Sequence, residues 1–283
     1  MRLVSFHASS RDSFGVVNDD GIVDLAPRLP EYADLAAVLA AGTLHRVPSL
    51  ADRDADFALA DVQLRPVIPV PGKIICVGGN YAQHLRESGR DLPTYPMLFA
   101  RFAESLIGAG QPLLVPPESE QLDFECELAV IIGRAGRRIA REDALAHVAG
   151  YSCFNDASVR DWQRHTSQFL PGKNFAGTGA LGPWLVTADA MPALEDQTMV
   201  TRLDGIDVQH ARFDDMIFDV PYLINYCSTF IPLQPGDVIV TGTPHGVGAF
   251  REPPLWMRPG SMVEVEISGI GVLSNPIAAE TPI

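Results

Sequence analysis

Three carboxylates, Asp123, Glu125 and Glu127, occupy every second position of LDFECELAVIIG (residues 122–133), directly before an apolar run. Alternate residues of a strand share a face, so the three would stand in a row, roughly 7 Å between successive members. Like charges so arranged repel, and water, basic partners or a cation must compensate them. A solvated edge strand would supply water. The run ELAVIIG instead suits a strand covered on both faces, where uncompensated charge is costly. If a cation is the answer, oxygen-only ligands favour a hard ion, Mg2+, Mn2+ or Ca2+, over zinc. Two carboxylates make a weak site, and Asp156 of CFNDASVRDWQ, at the end of a strand-like stretch, offers a third. A second pair lies in NYAQHLRE: His84 and Glu87, three apart, share one face of a helix, where the carboxylate could orient the imidazole for acid–base work.

The elements that must hold these residues are mostly short strands. ECELAVIIG, AGYSCFND, GPWLVT, TRLDGIDVQ, DVIVTGT, SMVEVEI and GIGVLSNPI are rich in β-branched residues and punctuated by Gly or Pro. Helical patterns are fewer: REDALAHVA (141–149), SVRDWQRHTSQF (158–169) and VPYLINYCSTF (220–230). KIICVGGNYAQHLRESG predicts a buried strand, a Gly-Gly turn suited to a hinge, an N-cap at Asn80 and a short helix closing at Gly89. Residues 1–68 read as a small α+β unit, with strands in RLVSF, SFGVV and GIVDL and a helix in YADLAAVLAAG. Three prolines within residues 66–73 suit a linker to a β-rich domain over 69–283.

With 283 residues and 47% hydrophobic composition the chain can bury a substantial core. A formal charge of −14 argues against polyanionic partners, nucleic acid or an acidic membrane surface. A small anionic substrate would need local cations or a metal. Cys76, Cys126, Cys153 and Cys227 are far apart and form no CxxC pair, as expected of buried, reduced thiols. With no signal-peptide core near the start and no apolar stretch long enough to span a bilayer, a cytoplasmic location is expected. Gly177, Gly179 and Gly182 satisfy GxGxxG, but PWLVT after them reads as a strand where a dinucleotide site requires a helix.

Taken in order, DFECELAVIIG, FNDASVRDWQ, PGKNF, GPWLVT, LQPGDVIVTGTPHGVG and RPGSMVEVEISGIGVLSNPI resemble the fumarylacetoacetate hydrolase family from about residue 70 to the C-terminus. The resemblance implies an α+β, β-rich fold, with a mixed β-sandwich or roll catalytic domain behind the small N-terminal domain, and a homodimer. It also implies a Mg2+ or Mn2+ cofactor held by Glu125, Glu127 and Asp156, with Asp123 outside the ligand set. Arg160, Gln163 and Thr243 match substrate-binding positions, and Lys173 matches a lysine near the substrate oxygens. His84 and Glu87 match an acid–base pair on a mobile lid.

The activity so implied is hydrolysis of a C–C bond in a 2,4-dioxo acid, of acylpyruvate or fumarylpyruvate type, giving a 2-oxo acid and a carboxylic acid. Decarboxylation, isomerisation or lyase chemistry on a related 2-oxo acid is the alternative from the same ligand set. Asn174 stands where the family more often has serine, Gly79 where it has a leucine or similar residue, and PTYPMLFARFAESLIG lacks a lysine common in acylpyruvate-cleaving members. These departures bear on the substrate and leave the metal ligands intact.

Overall fold

The structure, a computed structural model, describes residues 1–281. Its organising element is β10 (Cys126–Ile132), a strand whose seven residues are all buried. The period of two sends its side chains into two different cores. Leu128, Val130 and Ile132 join one cluster and Ala129 and Ile131 another. A strand apolar on both faces therefore lies mid-sheet, as its continuous hydrophobic run implies.

From edge to edge the larger sheet runs β3 (Ile22–Asp24), β2 (Arg11–Val17), β1 (Arg2–Ala8), β13 (Gly179–Thr187), β11 (Val148–Asp156), β10, β16 (Val238–Val240), β5 (Ile74–Gly78) and β6 (Met97–Arg101). Short strands β4 (Gln63–Leu64) and β7 (Leu106–Ile107) pair off this path with β1 and β13. All neighbours on the path are antiparallel except β16 and β5, which run parallel. Residues 1–68 thus extend the sheet, with Arg2 opposite Val186 and Leu3 opposite Leu185.

A second sheet, ordered β15 (Ile206–Arg212), β14 (Thr198–Leu203), β17 (Met262–Ile267), β18 (Gly271–Ala279) and β8 (Leu113–Val115), covers one face of the first. Met199, Val263, Val265 and Leu273 meet Leu128 and Val130 there. Helix α1 (Leu35–Ala40) covers the other face, where Leu35 and Val38 pack with Ile131 and Val240. Each fully buried aliphatic side chain contributes about 1.5–3 kcal/mol, so the two cores hold the sheet from both sides. The result is the β-rich α+β fold expected. Short helices α2 (Pro48–Ala51), α3 (Ala82–Glu87), α4 (Arg160–Gln163) and α5 (Leu170–Lys173) sit in connections, and α6 (Val220–Phe230) is the longest, its Asp219 cap accepting from the Tyr222 amide.

Three local expectations change. The helix over 158–169 is broken, because Ser158 and Val159 form strand β12 (Ser158–Val159) against β9 (Leu122–Asp123), leaving α4 only four residues. Residues 141–149 form a 3-10 turn over Arg141–His147, since Val148 and Ala149 are drawn into β11. Asn80 does not cap α3: its amide donates to the Phe218 and Thr241 carbonyls and accepts from the Phe218 amide, tying three distant segments together.

Candidate active site

The acidic ladder is two structures joined end to end. Asp123 closes β9, residues 124 and 125 lie between strands, and Glu127 is the second residue of β10. Asp123 points away to a loop: it accepts from the Gly248 amide at 2.7 Å, the Ala249 amide at 2.9 Å and Arg160 Nε at 2.8 Å. Gly248 is required there, because a Cβ on it would lie 1.8 Å from the Leu255 carbonyl oxygen. Glu125 and Glu127 remain, and the pairing of β10 with β11 brings Asp156 beside them: Cys126 faces Asn155, and the Asp156 amide donates to the Glu125 carbonyl. One carboxylate oxygen from each of Glu125, Glu127 and Asp156 lies within 4.8 Å of the others, and all three residues are buried.

Cations surround two of the three. Lys173 Nζ sits 2.6 Å from Glu125 Oε2 and 2.6 Å from Asp156 Oδ2. Arg160 Nη1 is 2.6 Å from Glu125 Oε1 and donates to Gln163 Oε1 at 2.9 Å. Arg101 Nη1, at the end of β6, is 2.5 Å from Asp156 Oδ1. Burial opposes ionisation of Glu125, but Lys173 and Arg160 outweigh it and hold its pKa at about 2. Burial also works against the Lys173 ammonium, yet Asp156 and Glu125 keep it above the usual lysine range. Glu127 is the exception. Burial, then the charges of Asp156 and Glu125, push its carboxyl well above the ordinary value, and its close donor is the Gly242 amide at 2.5 Å.

Arg101 was missed from the sequence, although one charge in the apolar strand MLFAR is a visible signal. Its guanidinium also donates to Thr178 Oγ1 and the Ala157 carbonyl, and Gly179 leaves room for it, since a Cβ there would fall 2.8 Å from Nη2. Asn174, the departure beside Lys173, accepts from the Phe102 amide and donates to the Ala100 and Leu170 carbonyls, so it fastens α5 to β6.

Above the carboxylates lies a cleft of about 60 Å³, lined by His84, Arg160, Gln163, Lys173 and Thr243 among others. His84 Nδ1 is 2.8 Å from Glu87 Oε1. Because a carboxylate only accepts, Nδ1 carries a proton, and in the neutral imidazole that leaves the lone pair on Nε2. Glu87 also accepts from the Gly246 amide at 3.0 Å, which holds α3 over the cleft. At the rim, Arg90 lies over the Phe169 ring and Arg164 over the Phe250 ring; among the described residues neither side chain has a carboxylate partner. Neither arginine was singled out from the sequence.

The donor set fits a divalent cation. Four buried carboxylates, Asp123, Glu125, Glu127 and Asp156, face three buried cations, Arg101, Arg160 and Lys173. With all seven groups ionised the cluster would carry one excess negative charge, and a divalent ion would reverse that sign and suit an anionic ligand.

A sheet-rich α+β scaffold thus carries a buried acidic triad, able to hold a metal ion, beneath a cleft lined by His84, Arg160 and Lys173. Residues 73–278 match the model of the fumarylacetoacetate hydrolase C-terminal domain, and the chain belongs to that family. A mitochondrial oxaloacetate tautomerase of Xenopus laevis is 38% identical over 287 residues, covering 98% of this chain and 90% of the relative. Among solved structures, a fumarylacetoacetate hydrolase of Exiguobacterium antarcticum superposes with a TM-score of 0.88 at 35% identity, covering 99% of this chain and 100% of that one. Maleylpyruvate hydrolase of Sphingobium sp. SYK-6, in complex with manganese(II) and pyruvate, superposes with a TM-score of 0.83 at 28% identity, covering 99% of this chain and 100% of that one. The chain is thus an enzyme of this family, and its acidic triad can bind a metal. The cytoplasmic location expected from the sequence is overturned by relatives whose names place them in mitochondria. That expectation rested on missing local signals, which do not report where a chain resides.

Proposed function

We propose that this enzyme interconverts the keto and enol forms of a short 2-oxo dicarboxylic acid of oxaloacetate type. The observation that carries the reading is charge placement: beyond the triad, the rim supplies Arg90 and Arg164 with no carboxylate of their own. A 2-oxo monocarboxylic acid would leave both unused, whereas a second carboxylate would pair with them. The tautomerase relative supports this over the hydrolysis that the sequence resemblance first implied.

Glu125, Glu127 and Asp156 would hold Mg2+ or Mn2+, which when bound supplies positive charge to the anionic end of the substrate. Arg160, whose buried Nη2 has no hydrogen-bond partner, and the Thr243 hydroxyl grip the carboxylate next to the oxo group. The free Nε2 of His84 takes a proton from C3, the C2–C3 double bond forms, and the imidazolium returns that proton to the 2-oxo oxygen. Lys173 Nζ steadies charge on that oxygen. Atoms balance with no water consumed.

His84→Ala should lower kcat for tautomerisation by about 10²–10⁴-fold while pyruvate still binds in the presence of Mn2+. Unchanged turnover would remove His84 from the chemistry. Arg164→Gln should raise KM for oxaloacetate by about tenfold and leave pyruvate affinity unaltered, the loss expected for one charge-assisted contact. Hydrolysis of a 2,4-dioxo acid is the second reading, favoured by the same His84–Glu87 pair, which could deprotonate water. Mass spectrometry separates the two, since tautomerisation conserves mass and hydrolysis yields two acids.

The homodimer implied by the resemblance is proposed as well. Tyr95, Met97, Phe102 and Phe230 are exposed around edge strand β6, a surface a second copy would cover. Light scattering on the purified protein reads the outcome directly.

A further inference from the structure

Gln209, on β15, is 2% exposed and lies behind the acidic triad, outside the cleft lining. Four neighbours fix its amide. The Cys126 amide donates to Oε1 at 3.0 Å and Thr201 Oγ1 donates to it at 2.8 Å. On the other side Nε2 donates to the Pro244 carbonyl at 3.0 Å and to Thr243 Oγ1 at 3.0 Å. The orientation is forced: a backbone N–H can only donate, so the atom facing Cys126 must be oxygen, and a backbone carbonyl can only accept, so the atom facing Pro244 must be nitrogen. No flip of the amide satisfies both.

Thr243 is thereby committed. Its oxygen accepts a hydrogen bond from Nε2, and among the described residues its own hydrogen has no acceptor, while the residue lines the cleft. We infer that Gln209 is a positioning residue that fixes the Thr243 hydroxyl as a hydrogen-bond donor toward the substrate carboxylate. The same amide anchors the backbone at Cys126, between Glu125 and Glu127, so the donor and the two carboxylates are held in one register. This rests on the reading of the cleft as a 2-oxo acid site.

The test is pyruvate binding in the presence of Mn2+, measured by calorimetry across a double-mutant cycle of Gln209→Glu and Thr243→Val. A carboxylate at position 209 can only accept, so it turns the Thr243 hydroxyl around and presents lone pairs to the substrate. Gln209→Glu should weaken pyruvate by about 10- to 100-fold at pH 8, the loss of a hydrogen bond to a charged group. The deficit relative to wild type should shrink as pH falls, because the protonated acid can donate again. In the Thr243→Val background the same change should cost less than about twofold. kcat at saturating oxaloacetate should move far less than KM. Equal affinity in Gln209→Glu, or an equal loss whether residue 243 is Thr or Val, overturns the inference. If Gln209→Glu does not fold, Gln209→Met, which cannot donate, is read in the same cycle with the same criterion. Failure of the wild-type enzyme to bind pyruvate sinks the reading of the cleft, and this inference with it.

Discussion

Glu127 is a buried carboxylate beside two others, its carboxyl pushed well above the ordinary value, with the Gly242 amide as its close donor. In the metal-free protein Glu127→Gln should therefore stabilise the fold at neutral pH, by about 1–3 kcal/mol in denaturant melts. The same variant should lose most of the stabilisation that Mn2+ gives the wild type. The pH dependence follows with opposite signs for neighbouring groups. The Glu125 pKa lies at about 2, below its ordinary 4.5, so its stabilisation is complete above 4.5 and is lost as pH falls toward 2. The Glu127 pKa is raised, so its cost is absent in acid and grows as pH rises above 4.5. Metal-free wild type should thus lose stability on raising the pH from 4.5 toward neutrality, and Glu127→Gln should remove that slope. A melt series from pH 3 to 8 reads both limbs. The alternation of acids at 123, 125 and 127 was legible in the sequence, but its division was not: Asp123 is claimed by the Gly248 and Ala249 amides, 125 and 126 residues away.

Elements depend on close approaches that only particular residues allow. A Cβ on Gly248 would meet the Leu255 oxygen at 1.8 Å and Asp123 Oδ1 at 2.6 Å, so Gly248→Ala must displace the loop that braces Asp123 and Arg160. It should destabilise by more than about 2 kcal/mol, seen as a lower denaturant midpoint, and weaken Mn2+ binding together with it. Helix α6 was readable because its apolar residues recur at helical spacing and Asp219 caps it. The stretch 158–169 carries a similar local pattern and still breaks. There Leu122 and Asp123 recruit Ser158 and Val159, and Gly172 packs so close to Gln163 that its Cβ would lie 2.3 Å from the Gln163 nitrogen. Tertiary pairing outweighs helix propensity of a few tenths of a kcal/mol per residue.

Across the whole molecule, the two cores share β10, and the larger sheet is extended by the N-terminal strands β1 to β3. Leu3 of β1 and Leu185 of β13 are neighbours in register and both are fully buried. Expressing residues 69–283 alone should uncover the β13 edge and the apolar face beneath β1, giving a lower melting temperature and concentration-dependent aggregation in light scattering. Full-length melting and solubility retained by that fragment would show that the catalytic part folds independently.

Local order in the sequence carries β10, α6, the spacing of the acids and the set of motifs that marks the family, because periodicity and short motifs are properties of neighbours along the chain. Glu125, Glu127 and Asp156 could be named from it as a ligand set through the family resemblance. Which cation neutralises which carboxylate could not. Arg101, Lys173 and Arg160 arrive from three elements, Arg90 and Arg164 reach the rim from two, and Gln209 approaches from a second sheet. Their roles depend on distance through space and on desolvation, and both exist only after the strands have paired and water has been excluded.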